Sequence, residues 1–573
     1  MSIMPCSRSC AAQLAGATGG ILLMLSALML SAASLAQTTV PAASPVQAPG
    51  LQCNGTQIFD PFKGRLAGPG LPPGLLPIDT ASKDKALKSG LPCQENVRTV
   101  AQGDPAGIEA SGLENLQRGF DFYSWRTFIA LNSPADGTPI DSEKAQADTP
   151  TEWEDMNNFK QLLDVMLPAD QQPPIWPTDT DGMKAERARL MPDACRELLK
   201  ARPDLKEDEP NRMIVKMIEE SFNEPFKTGP LIDQQGHYAI FDILMNRQMF
   251  EYITVNHLNT KAGQAANADL AVDFPSGQND KPAQAGQPAQ SAAFGSFMLK
   301  VSWKILTPEE IAAKTFHMRR ALVLMPPGEK RPCLDRTLGL IGFHAVHKTV
   351  GRPQWIWTSF EHVKNVPDRN EVAANKLSGA YNFFSVKCKA DCPAENATPP
   401  FPWDPDPALE LRFRKDDSFK SQIVRETPLT DAAKNMNAVF HSMLPANSVW
   451  QNYMLLSTQW PSAFATHCTG LHSQNVPDPK TDFIKQPDMT CSPAPTYFAN
   501  STLETYSQAD KKPDSKADSM ADLRDSPAVP LATSSCIACH SNAVGFQRTA
   551  SNREGGRPNL NQSDFTFMLE KAQ

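Results

Sequence analysis

Near the end of the chain, Cys536-Ile537-Ala538-Cys539-His540 sets two thiols three positions apart and follows the second with an imidazole. Two cysteines at this spacing can reach the two vinyl groups of one haem and form thioethers. The adjacent histidine is then held under the iron as an axial ligand. With twelve cysteines and ten histidines in 573 positions, chance produces such a pentamer only about 0.004 times. Cys536, Cys539 and His540 are therefore the expected cofactor-binding residues, with His540 the metal ligand and one covalent haem c, with its iron, the cofactor. Two other chemistries use the same residue types. A redox Cys-x-x-Cys wants a βαβ context after a buried strand, whereas Asp525 to Ser535 is polar and contains proline. A zinc knuckle wants a second cysteine pair nearby, and none follows. No phosphate loop, dinucleotide fingerprint, serine nucleophile elbow or His-Glu-x-x-His helix occurs, so no catalytic residue is assigned.

Only 33 residues follow His540 in a chain of 573. Their apolar members, which include Val544, Phe546, Phe565, Phe567, Met568 and Leu569, offer too little surface to shield a macrocycle from water. A haem here must be clamped between this tail and the rest of the protein. Met568 is the local candidate for the sixth iron ligand, and a thioether there would raise the potential. Its neighbours Phe565, Phe567 and Leu569 favour a packing role in a terminal helix instead. His344 and His347 are the distant candidates. Three positions apart on a strand means opposite faces, so at most one can point at a haem lying on that sheet, and structural histidines are commoner than ligands. Trp355 and Trp357 share a strand face. They could line a haem or a ligand pocket, although an aromatic core under a sheet is the commoner role.

The other end of the chain bears on the same chemistry. An apolar run from Ile21 to Leu30 sits behind Arg8 and ends in Ser34-Leu35-Ala36, the small-residue pattern of an export signal cleaved after Ala36. This ten-residue run, nine of its members apolar, falls well short of the roughly 20 that cross a bilayer. The expected location is therefore the periplasm, where covalent haem is attached after translocation. Mean hydropathy of -0.37 and a single apolar run exclude a polytopic membrane protein. The net charge of -8 argues against a nucleic-acid partner. Fifty prolines against 31 glycines point to long irregular connections and argue against a helical bundle.

Setting aside Cys6 and Cys10 in the signal and the haem-motif pair, eight cysteines remain for four disulfides in an oxidising compartment. Adjacency in sequence suggests Cys53 with Cys93, Cys388 with Cys392 and Cys468 with Cys491. A zinc site built on Cys388 and Cys392 with His362 or His441 is the alternative.

The length fits about two to four domains. Residues 1–36 read as the signal, 37–110 as an irregular proline-rich lead-in, 111–530 as a large domain and 531–573 as the haem-attachment segment. Aromatic spacing predicts a helix over 114–131, and further helical stretches fall at 152–167 and 184–200, the last interrupted by Pro192. A hairpin with its turn at Gln234-Gln235-Gly236 leads into a helix from Asn246. Residues 258–293 read as a mobile surface loop. Strands are expected at 297–306, 316–325, 338–348 and 354–360, with connections short enough to favour an antiparallel sheet. Proline-rich irregularity over 388–430 precedes a helix at 429–443, then loops. The fold class is α+β: a disulfide-containing domain with an antiparallel sheet and peripheral helices, plus a short tail.

Residues 536–540 resemble the attachment site of c-type cytochromes. Longer stretches resemble the large bacterial monohaem proteins of the cytochrome c family: Gly229 to Asp233, Leu340 to Thr349, Arg352 to Trp357, and Leu503-Glu504-Thr505-Tyr506. The resemblance implies a periplasmic haem protein and brings no substrate. It also departs from small free-standing cytochromes, which carry the motif near their start and wrap the haem with the helices that follow. The expected function is an exported cytochrome passing electrons to a redox partner protein, without a membrane span once the signal is removed. The alternative is a peroxidase- or oxygenase-like enzyme with its haem in a pocket of the large domain, which the roughly 500 residues outside the tail favour.

Overall fold

The strongest apolar alternation in the chain folds as the middle of one nine-stranded sheet. The computed structural model describes residues 113–461 with internal breaks, chiefly 206–211, 222–229, 278–293, 326–330 and 398–419. It also describes 499–508, 535–540, 543 and 563–573, with short pieces at 53–54, 86–87, 90–93 and 493–495. The expected signal at 1–36 lies outside these residues, as do Cys392, Cys468, Cys491, Val544 and Phe546.

The strands are β1 (Phe159–Gln161), β2 (Met213–Lys216), β3 (Ile240–Asn246), β4 (Phe297–Ile305), β5 (Met318–Leu324), β6 (Cys333–Thr349), β7 (Arg352–His362), β8 (Tyr453–Pro461) and β9 (Pro493–Ala494). They run β9-β8-β7-β6-β4-β3-β1, with β5 also on β6 and β2 beside β5. Every pairing is antiparallel except β2 with β5. The seventeen-residue β6 is buried along nearly its whole length, and 340–346 lies wholly in the core. Continuous apolar character marks a strand covered on both faces.

One cover is helix α1 (Leu113–Leu131). Its Phe128 stacks on Phe360 of β7 at 4.1 Å. Trp125 stacks on Phe440 of α7 (Asp431–Met443) at 4.9 Å. The Trp125 indole donates to Asn437 Oδ1 at 2.9 Å, so a large apolar group enters the core with its one polar atom satisfied. The opposite face is covered by residues 499–508, helix α5 (Arg247–Val255) and the C-terminal tail.

Toward β1 and β2 the sheet curls. The Gln161 amide donates to the Ile214 carbonyl, and Lys216 pairs with Asp164 on the short helix α2 (Leu162–Val165), so two strands that share no ladder are drawn together. Helices α3 (Thr180–Leu190) and α4 (Asp193–Ala201) flank this end.

The structure bears out the helix at 114–131, the four central strands, the break at Pro192 and the helix near 431. The hairpin leads through β3 into α5, where Asn246 Oδ1 accepts from Met249 N at 3.2 Å and caps the helix. It also corrects several expectations. Residues 152–167 are a turn at Glu152–Glu154, then β1, then α2, because Trp153, Phe159 and Val165 serve different parts of the core. Strand β8 stands where loops were expected. Within 258–293, helix α6 (Lys261–Ala266) and a buried Phe274 replace part of the expected mobile loop. Cys195 bonds to Cys333, 138 residues away, a pair that adjacency in sequence does not suggest. Cys388 is also in a disulfide, as is Cys93, which removes Cys388 as a zinc ligand.

Glu154 anchors the core at one buried ion pair. Its carboxylate accepts from His317 Nε2 at 2.9 Å and from Arg319 at 2.7 Å. Burial works to raise this acid, and Arg319 and His317 overcome it, holding the group at about 2 against an ordinary 4.5. A depressed carboxyl stabilises the fold above its unfolded pKa and loses that contribution as pH falls toward its folded one. Between pH 5 and pH 2 the protein should lose about 3 kcal/mol through this group. Urea unfolding of wild type and Glu154→Gln across that range checks it. The wild-type midpoint should fall more steeply, and parallel curves would contradict the assignment.

Candidate functional site

Residues Cys536–His540 form one helical turn, α8, resting on β7 and β8. Its start is held by Gln459 of β8, whose Oε1 accepts from the Ile537 backbone N–H at 2.8 Å. The Gln459 Nε2 donates to the Pro495 carbonyl at 2.7 Å and to Ser535 Oγ at 3.1 Å. A helix start has backbone donors with no partner inside the helix, and here a strand side chain supplies one.

The tail returns beneath this turn. Asp564 is held by Lys348, and its carboxylate also accepts from the Phe274 backbone N–H at 2.7 Å. Asp564 and Phe565 both adopt positive φ, at 51° and 62°. Side chains rarely tolerate this unless the surroundings impose it. The resulting turn presents the Phe565 carbonyl to His540, whose Nδ1–H donates to it at 2.9 Å. That bond fixes the tautomer and leaves Nε2 as the nitrogen with the lone pair, which is how proteins orient a metal-binding imidazole. Trp357 and Phe567 hold the ring, with centroids 4.3 and 5.0 Å away.

Cys536, Cys539 and His540 each keep part of their surface at solvent. Neither cysteine is in a disulfide, whereas Cys93, Cys195, Cys333 and Cys388 all are. Burial, reinforced by the Glu504 carboxylate, pushes the Cys539 thiol up to about 12 and raises Cys536 as well. A redox dithiol needs the opposite, a thiolate stabilised near neutral pH. Burial also lowers His540 to about 3, which keeps the imidazole neutral, the form that binds iron.

The ladder settles which distant residues share this face. Lys300, His344 and Ser359 lie side by side on β4, β6 and β7, and so do Met298, Val346 and Trp357. The second row packs with Ile537, Phe565 and Met568, so His344 belongs to the face that carries α8. Its Nε2 donates to Glu504 Oε1 at 2.7 Å, and Lys300 donates to the Leu503 carbonyl at 3.3 Å. His347 projects to the other face, where Tyr123 of α1 bonds its Nδ1 at 2.5 Å. Burial lowers His347 to about 3, a neutral core histidine on the wrong side of the sheet for a group at His540.

Met568 is buried among Phe565, Leu569 and Ile537 in a terminal 3-10 turn. Trp355 joins the same cluster. It is fully buried, holds φ at 64°, and its indole N–H has no acceptor among the described residues. His362 and His441 each bond a backbone carbonyl, Thr315 and Tyr453, and no group of three metal-binding side chains occurs among the described residues.

No protein-family model, no curated protein and no solved structure matches this chain. The functional reading therefore stands on the residues themselves. Two residues of the site are not legible in the sequence: Gln459, because buried polar neighbours mask the alternation of its strand although Tyr453, Leu455 and Trp460 carry strand character, and Glu504, which no motif marks.

Replacing Gln459 with leucine leaves the Ile537 amide and the Pro495 carbonyl without their partner, at a cost of about 1–3 kcal/mol. Hydrogen exchange at Ile537 should accelerate at least tenfold while α1 keeps its protection. Unchanged exchange at Ile537 would contradict the anchoring role.

Proposed function

We propose that this chain is an exported c-type cytochrome that carries one covalent haem at Cys536 and Cys539 and transfers single electrons to a redox partner protein. The observation that carries the reading is the His540 imidazole, locked by the Phe565 carbonyl with its Nε2 lone pair available, beside two cysteines that lie outside the chain's disulfides. When bound, the haem supplies a one-electron iron couple. The chain's part would be to fix the His540 Nε2, to hold both thiols in one helical turn, and to exclude water from this face with Ile537, Phe565 and Trp357. The buried indole N–H of Trp355 offers a donor to an anionic substituent of the group. Disulfides at Cys93, Cys195, Cys333 and Cys388 support an oxidising compartment such as the periplasm. Among the described residues no helix is long and apolar enough to cross a membrane.

One observation favours the enzymatic alternative. His344, Glu504 and Lys300 make a polar cluster on the α8 face whose charges act on His540. Such a cluster can hold and pass a proton on this face, a role that an enzyme would use and a simple carrier would not.

Exported wild-type protein should retain haem through denaturing electrophoresis, and Cys536→Ser with Cys539→Ser should lose it entirely. A double variant that keeps the stain would remove the attachment assignment. In the wild type, a low-spin spectrum unchanged by carbon monoxide or cyanide is expected for the electron carrier. High-spin iron that binds either ligand would select the enzyme.

A further inference from the structure

On the sheet face that carries α8, His344 of β6 stands between Lys300 of β4 and Ser359 of β7. It lies two positions from Val346, about 7 Å along the strand, and Val346 pairs with Trp357, the residue against the His540 ring. Residues 499–508 close over this row and bring Glu504 to it. The charges of Glu504 and Lys300 act on Cys536, Cys539 and His540, and that of His344 acts on His540 as well.

The fit of the segment fixes the carboxylate. Asn500 Nδ2 donates to the Phe360 carbonyl at 2.9 Å and to Ser359 Oγ at 3.1 Å, and the Ser501 backbone N–H donates to Glu361 Oε2 at 3.2 Å. A Cβ at Gly342 would lie 2.3 Å from Thr502 Oγ1, so the segment seats directly on β6. Thus placed, Glu504 Oε2 accepts from the Asn500 backbone N–H at 3.1 Å, and Oε1 accepts from His344 Nε2 at 2.7 Å. Burial works to raise Glu504, and His344 and Lys300 overcome it, holding the acid below the ordinary carboxylate range. An ionised carboxylate only accepts, so the imidazole carries its proton on Nε2 and keeps its lone pair on Nδ1. The two side chains are 8% and 22% exposed, which leaves the pair a route to water.

Among the described residues, the other charged groups on this face are engaged with one another: Glu361 with Arg425, and Lys348 with Asp273 and Asp564. His344 with Glu504 is therefore the pair here whose proton count can change without breaking an ion pair to Arg or Lys. An electron arriving at a group on His540 lowers the local charge by one and strengthens the hold on a proton nearby. At a separation on the order of 10 Å and an effective dielectric of about 20, one unit charge changes a proton's affinity roughly tenfold.

We propose that His344 and Glu504 form a redox-linked proton site, in which an N–H bond forms at His344 Nδ1 when the haem is reduced and breaks when it is oxidised. The electron comes from and returns to a redox partner protein, the proton comes from and returns to water, and Glu504 stabilises the imidazolium. This rests on the haem reading, and it gives the cluster a use in a carrier whose electron travels with a proton.

Spectroelectrochemical titration of the exported, haem-loaded full chain tests it. Between about pH 5 and pH 8, where an imidazole changes charge, the midpoint potential should fall with rising pH from one plateau to another. The total fall expected is about 59 mV, the equivalent of that tenfold difference for one electron. His344→Gln should abolish the fall. Glu504→Gln keeps an acceptor for Nε2 but removes the charge, and should move the fall to lower pH by about one unit; should His344→Gln fail to fold, this shift decides alone. A potential flat across the range, or a fall that Glu504→Gln leaves in place, would overturn the proposal while the haem assignment stands. Absence of a haem band in the wild type would remove the haem reading itself, and this proposal with it.

Discussion

A β-strand sends alternate side chains to opposite faces, and this molecule depends on β6 being covered on both. On one face Phe343 meets Phe128 of α1, and His347 meets Tyr123. On the other, Val346 joins Ile537 and Met568, and His344 meets Glu504. Neither cover is optional: an uncovered face of β6 would place an almost continuous apolar surface in water. The tail that carries the Cys-x-x-Cys-His turn is therefore a structural half of the core's cover, and the rigidity of the sheet is transmitted to His540 through Trp357 and Gln459.

The same face is reinforced by a second set of contacts between the C-terminal residues and distant parts of the chain. Lys348 holds Asp564, Gln264 of α6 donates to the Leu569 carbonyl at 2.7 Å, and Lys261 N–H donates to the Gln573 carbonyl at 3.1 Å. The chain terminus is thus tied along its length to elements more than two hundred residues away.

Periodicity made much of this legible. The aromatic spacing of α1 and the alternation through β4 to β7 are local patterns, and the opposite facing of His344 and His347 follows from counting positions along a strand. Which of the two faces the tail would occupy was not readable, because it depends on Gln459 and Asp564 finding partners far away in sequence. Strand β8 escaped because its polar residues Ser457, Thr458 and Gln459 are buried, so the expected contrast between inward and outward positions is absent. Four-residue β2 pairs in parallel with β5 and carries too few residues for any period. The bond between Cys195 and Cys333 joins α4 to β6, a contact set by the packing of the flank and invisible to sequence adjacency.

The two thiols of α8 are proposed to carry a tetrapyrrole. Intact mass and peptide mapping of the exported polypeptide test this most directly. One haem mass on the peptide containing residues 536–540, with both thiols consumed, is the predicted result. An unmodified peptide, or one in which Cys536 and Cys539 are joined to each other, would contradict it.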